Sequence, residues 1–136
     1  MIKGVLSKQL NIRVGNEVGT LAQITSLISS YRINMVAICA YAVDNRCVMT
    51  IVTENNLHAK RLLKEKGYDV EEQDIALISV SNEPGSLHQI TEKISAAGLN
   101  LKLIYGSVEK HGKTSRIVFV SEENPKKLLQ ALKIKI

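Results

Sequence analysis

The sequence repeats itself at an offset of 66 residues, and this repeat constrains the fold more than any other feature. Between residues 16–34 and residues 82–100, 10 of 19 positions are identical. Two adjacent leucines at 62–63 match two more at 128–129, although the second copy carries a two-residue insertion between these segments. The 136 residues therefore contain two copies of one structural unit.

Each copy has the pattern of a β-α-β-β-α-β unit. Leu10, Ile12 and Val14 alternate with polar residues, which is typical of a strand with one buried face. The residues Leu21, Ile24, Ile28 and Tyr31 then follow the spacing of one helical stripe. After this helix we predict hairpins at 33–43 with 46–53 and at 99–110 with 113–121, helices at 58–66 and 125–132, and closing strands at 68–71 and 133–136.

This element order predicts an α+β fold made of two tandem ferredoxin-like units, each an antiparallel sheet with both helices on one face. The predicted domains are residues 8–72 and 75–136, with a linker at about 72–74. Units this small leave open strand edges and a bare sheet face, so we expect the units to pair and the chain to form a homodimer.

Two local patterns give sharper predictions. Thr20 and Ser86 are each followed three residues later by Gln, which predicts a capping box at the start of the first helix of each copy. A two-residue turn at 44–45 would place Cys39 opposite Thr50 and Cys47 opposite Ala42. The two thiols would then lie on opposite faces of the hairpin, so no disulfide joins them.

Composition excludes several classes of function. Leu, Ile, Val and Phe supply 43 residues, which excludes disorder for most of the chain. The aromatic fraction is 4% with no Trp, which argues against RNA recognition by stacked rings. The net charge is +5, and we assign the lysine clusters at 60–66 and 126–135 to solvated helix faces, so we expect no nucleic-acid partner. No stretch predicts a membrane span or signal peptide, so we expect a cytoplasmic protein with no membrane partner.

The chemistry-bearing residues do not form a catalytic or metal-binding pattern. His58, His88 and His111 are scattered, and the first loops contain no thiols. The segment 106–114 resembles a phosphate-binding loop, but its glycines are one residue too far apart and we assign it to a hairpin. We therefore expect no enzyme activity, no metal and no cofactor.

The loop before the first helix of each copy is the strongest candidate site. A glycine permits a sharp turn into a helix whose free N–H groups attract carboxylates, and an asparagine at the rim can bind an ammonium group. The alternative is a tight turn in which the Asn bonds only its own backbone. The predicted loop residues are Asn16, Glu17, Gly19 and Thr20 in the first copy and Asn82, Glu83, Gly85 and Ser86 in the second.

The Asn-Glu-Pro-Gly-Ser-Leu loop at 82–87, the helix after it and the Gly-Leu-Asn-Leu segment at 98–101 resemble the ACT domain, a sensor module of amino-acid metabolism. The resemblance covers about 9–136 as two tandem copies. It implies a non-catalytic, allosteric regulator that binds an amino acid or related metabolite in a groove between units. Val18 replaces the usual loop proline in the first copy, and Val14 and Val80 stand where some amino-acid-binding members carry a polar residue. These departures imply either that one copy is silent or that the ligand is apolar.

The resemblance also implies how each site is completed. The loop Asn of one unit and the Asn at the second strand of its neighbour clasp the ligand, which here pairs Asn16 with Asn100 and Asn82 with Asn34. The alternative role is a free-standing regulatory or assembly subunit of an amino-acid biosynthetic enzyme, such as acetolactate synthase, that binds no ligand of its own.

Overall fold

The structure is a computed structural model, and it describes residues 2–134. Its elements are β1 (Ile2–Gly15), α1 (Thr20–Ser30), β2 (Met35–Val43), β3 (Arg46–Thr53), α2 (Asn56–Glu65), β4 (Asp69–Ser81), α3 (Ser86–Ala96), β5 (Leu101–Gly106), β6 (Thr114–Ser121) and α4 (Pro125–Ala131). The predicted α+β class and the two ferredoxin-like units are confirmed. Among residues 2–134, no helix has the length and apolar content needed to cross a membrane.

The first unit comprises residues 8–73. Its strands lie in the order β2-β3-β1-β4, and β3 pairs antiparallel with both β1 and β2. The alternating apolar residues of β1 lie against α1 and α2 and form one aliphatic core. Fully buried members of this core are Leu10, Ile12, Ile24, Ile51, Ala59 and Leu63.

The second unit is described over residues 2–7 and 74–134. Its strand order is β5-β6-β4-β1, where β1 contributes only residues 2–7. The core repeats that of the first unit with Ala76, Ile78, Ile90, Phe119, Leu128 and Leu129 at zero exposure. Division of the chain into functional repeats at 8–72 and 75–136 stays a prediction.

The closing strand predicted at 133–136 is wrong where the structure describes it, and its other residues, 135–136, lie outside the described range. Lys133 is in a turn with a φ of 58°, and Ile134 belongs to no strand. The fourth strand position of the second unit is filled by residues 2–7 instead. A β-carbon on Gly4 would lie 2.7 Å from Cδ1 of Ile78, which shows how closely this segment packs on the second core.

The predicted linker at 72–74 is also wrong, because these residues lie inside the continuous strand β4. Each long strand thus serves both units: one part is the fourth strand of one unit, and the next part is the first strand of the other. The predicted hairpin register is confirmed, with Cys39 opposite Thr50 and Ala42 opposite Cys47, and both cysteines are free.

Candidate functional site

The two candidate loops turn into their helices through a glycine. Gly19 and Gly85 have φ of 90° and 85°, a left-handed conformation that costs a glycine little. Their carbonyl oxygens accept the first helical hydrogen bonds, from the N–H groups of Gln23 and Gln89, at 3.0 Å each. The glycines are therefore the N-caps, and the predicted capping boxes are wrong: neither N-cap makes a side-chain hydrogen bond.

In the first unit this loop lines a cleft of ≈ 260 Å³. Its polar lining comes from the predicted residues Asn16, Glu17 and Thr20. Its walls come from residues with mostly apolar side chains: Leu21, Ala40, Tyr41, Ala42, Cys47 and Met49, with Gly15 beside the loop. This volume lies just below the roughly 300–1,000 Å³ typical of pockets for drug-sized ligands.

At this cleft the backbone N–H of Asn16 is engaged, whereas its side chain is not engaged by any described residue. The backbone N–H of Asn16 donates to the carbonyl of Asn45 at 2.9 Å, which ties the loop to the β2–β3 turn. Within residues 2–134, the side-chain amide of Asn16 has no hydrogen-bond partner. An exposed amide can donate to a carboxylate or accept from an ammonium group.

In the second unit, the side chains of the corresponding loop contact residues 109 and 111. The backbone N–H of Asn82 donates to the carbonyl of Lys113 at 2.7 Å, as its counterpart does in the first unit. Here, however, the side chain is also engaged: Nδ2 of Asn82 donates to the carbonyl of Glu109 at 2.6 Å. Oε2 of Glu83 lies 3.0 Å from Nε2 of His111, and the Oγ of Ser86 accepts from the N–H of Glu83 at 3.2 Å.

Similarity to known proteins agrees with this architecture. A family model described as "ACT domain pair" matches residues 5–134. The chain belongs to this family. The ACT resemblance is thus confirmed, although a search of curated proteins finds no match.

Solved structures show the same fold as this ACT pair. A protein from Bacteroides thetaiotaomicron is 25% identical with a TM-score of 0.87, covering 96% of this chain and 88% of that one. The regulatory subunit of aspartate kinase from Thermus thermophilus, in its ligand-free form, is 16% identical with a TM-score of 0.71 and coverages of 97% and 95%. The corresponding subunit from Thermus flavus is 15% identical with a TM-score of 0.65 and coverages of 97% and 94%.

The remaining predicted residues, Asn34 and Asn100, follow the far ends of α1 and α3. An 11-residue helix spans roughly 16 Å, so neither unit brings its own two asparagines together. Nδ2 of Asn34 donates to Glu54 at 3.3 Å, and Asn100 lines a separate cleft of ≈ 360 Å³ with Thr91 and Ser95. The pairing of Asn16 with Asn100 and of Asn82 with Asn34 stays a prediction.

Sequence reasoning missed most of the cleft walls in the first ACT unit. Leu21 was assigned to the buried stripe of α1 but is 48% exposed beside the cleft. Cys47 and Met49 lie opposite Val14 and Ile12 in the ladder, so the hairpin register combined with the β1 alternation could have placed them on the helix side. Within residues 2–134, no three His, Cys, Asp or Glu side chains are grouped as a metal ion would require.

Proposed function

We propose that this ACT domain pair is a regulatory module that binds a small amino acid with an apolar side chain at the cleft of the first unit. One observation carries this proposal: the predicted loop residues Asn16, Glu17 and Thr20 line a cleft whose other lining residues are largely apolar. The loop residues would hold the charged groups of the ligand. The walls, including Ala42 and Met49, would hold its side chain through apolar burial.

The proposal extends to a partner. The similar fold of aspartate kinase regulatory subunits, proteins of amino-acid biosynthesis, supports association with a biosynthetic enzyme. Ligand binding would then alter that enzyme through a coupling free energy of about 1–3 kcal/mol, the usual range for regulation between sites. A homodimer is part of the same proposal, because a neighbouring unit would bring the asparagine of its second strand, Asn100, to a ligand at Asn16. We also propose that the protein is cytoplasmic.

A thermal-shift screen against the twenty L-amino acids tests the proposal. We expect leucine, isoleucine, valine or methionine to raise the melting temperature and aspartate and lysine to leave it unchanged. A ligand at 100 times its Kd stabilises by about 2.7 kcal/mol, and this corresponds to a shift on the order of 10 °C for a domain of this size. No shift with any of the twenty would contradict sensing and favour an assembly subunit without a ligand.

Substitution of the cleft wall shows whether the ligand lies there. Ala42→Leu places a larger side chain in the cleft, so we expect calorimetry to show at least a tenfold weaker Kd. Asn16→Ala should weaken binding in the same way because it removes the free amide. Val43→Leu is the matched control, since Val43 is on the same strand, is 56% exposed and does not line the cleft. Equal affinity in all three variants would place the ligand elsewhere.

A further inference from the structure

We propose that the second unit is held closed by its own β5–β6 loop, residues 107–113, which we call the strap. One chain would then take up one ligand, in the first unit. The ligand count rests on the proposed function, whereas the closed state of the strap does not.

The pairing of strands shows that the strap lies where the first unit has its cleft. Cys47 is opposite Val14 in the first unit, and Ser115 is opposite Val80 in the second, so Cys47 and Ser115 are equivalent positions. Cys47 lines the cleft and is partly exposed. Ser115 is only 2% exposed, and its Oγ accepts a hydrogen bond from the N–H of Glu109 in the strap at 2.8 Å.

The strap also uses the asparagine on which a ligand would depend. The carbonyl of Glu109 accepts from Nδ2 of Asn82 at 2.6 Å. The N–H and the carbonyl of Glu109 thus bond to Ser115 and Asn82, which are the equivalents of Cys47 and Asn16 at the open cleft. Asn16, the counterpart of Asn82, has its side-chain amide free within residues 2–134. The two units therefore present the same loop in two states, one open and one occupied by the protein's own backbone.

Two further contacts hold the strap in place. The N–H of Gly112 donates to the carbonyl of Asn82 at 2.8 Å, and His111 lies 3.0 Å from the carboxylate of Glu83. The two-residue insertion of the second copy gives the loop the length to reach back, whereas the first unit turns through Asp44 and Asn45 alone. A free ligand would have to compete with a tethered segment, whose effective concentration is in the millimolar range or above.

Amide hydrogen exchange measured by NMR tests the closed strap without any ligand. We expect the N–H groups of Glu109 and Gly112 to be protected in the wild type, and Ser115→Ala to accelerate exchange at Glu109 at least tenfold. Ser121→Ala is the control, because Ser121 is also buried on β6 but bonds to Glu123. Exchange at Glu109 and Gly112 as fast as in an unstructured peptide, or the same rate at Glu109 in Ser115→Ala as in the wild type, would overturn the proposal.

Ligand stoichiometry provides the second test. A chimera in which the first-unit residues 41–45 replace residues 107–113 lacks the strap, and we expect calorimetry with L-leucine to give two sites per chain, against one in the wild type. Two sites in the wild type, or one in a folded chimera, would overturn the proposal. Ser115→Ala takes the place of the chimera if the chimera does not fold. If L-leucine gives no heat, the proposed function fails for that ligand while the exchange rates still decide the state of the strap.

Discussion

Neighbouring lysines shift the ionisation of Glu72. Nζ of Lys60 donates to Oε1 of Glu72 at 2.9 Å, and Nζ of Lys8 lies 3.8 Å from Oε2. The hydrogen bond from Lys60 lowers the pKa of Glu72 below its ordinary value of 4.5, against a smaller opposite effect of burial. Because the pKa is lower in the folded state, the interaction stabilises fully above the unfolded pKa and is lost as the pH falls through the folded one.

We therefore expect Glu72→Gln to lower the free energy of unfolding at pH 7 by no more than about 1 kcal/mol, the range for a partly exposed ion pair. The difference from the wild type should disappear as the pH falls below 4.5 towards the folded pKa. Urea denaturation from pH 7 to pH 3 measures this dependence. A difference for Glu72→Gln that persists at pH 3 would rule out the ion pair as its cause.

At the same scale, the sequence predicted which residues form the loops but not which group caps the helix. Gly19-Thr20 and Gly85-Ser86 both fit a helix start, and only the left-handed φ of the glycines decides that the hydroxyl residues are the first helical ones. The predicted start of α4 at residue 125 is confirmed, because Pro125 occupies the first position of the helix, which proline favours. Glycine adopts positive and negative φ about equally well, so the sequence did not predict which residue is the N-cap of each helix.

Between elements, the two hairpins differ in what the sequence could predict. A two-residue turn fixes the register of β2 against β3, so the opposition of Cys39 and Thr50 followed from counting. The predicted strand at 99–110 is wrong beyond Gly106, because residues 107–113 form a loop that returns over Asn82. A loop of this length does not have its path fixed by strand register. The loop that returns over Asn82 is the one with two inserted residues.

Gly106, at the end of β5, allows an unusually close approach of β6. A β-carbon at this position would lie 2.6 Å from the carbonyl oxygen of Arg116 and 3.0 Å from Cα of Ile117, and backbone atoms cannot rotate away. We expect Gly106→Ala to destabilise the protein by about 1–3 kcal/mol in urea denaturation. The control is Ala40→Gly at the equivalent place on β2, which should cost about 0.5–1 kcal/mol. An unchanged or raised stability of Gly106→Ala would contradict the close approach.

For the whole chain, the repeat predicted two units but not how the strands are shared between them. At the same offset of 66, β1 (Ile2–Gly15) corresponds to β4 (Asp69–Ser81), so the repeat continues upstream of the segment with high identity. The side chains there differ, because residues 2–7 pack on the second core and residues 69–73 on the first. The two segments form equivalent parts of their strands but have different side chains, so a comparison of the two copies residue by residue does not detect this part of the repeat.

The consequence is that the second unit depends on the N-terminal segment. Gly4→Val would place atoms against Cδ1 of Ile78 and of Ile134, 2.7 Å and 2.9 Å from the β-carbon position. Ile78 is fully buried, so its side chain would have to move within the second core. We expect a loss of about 1–3 kcal/mol, felt as faster amide exchange at Phe119 and Leu128 rather than at Ile12. Lys3→Val adds a similar side chain at an exposed neighbouring position and should leave these rates unchanged. If Gly4→Val accelerated exchange equally in both units, the second unit would not be the one that residues 2–7 complete.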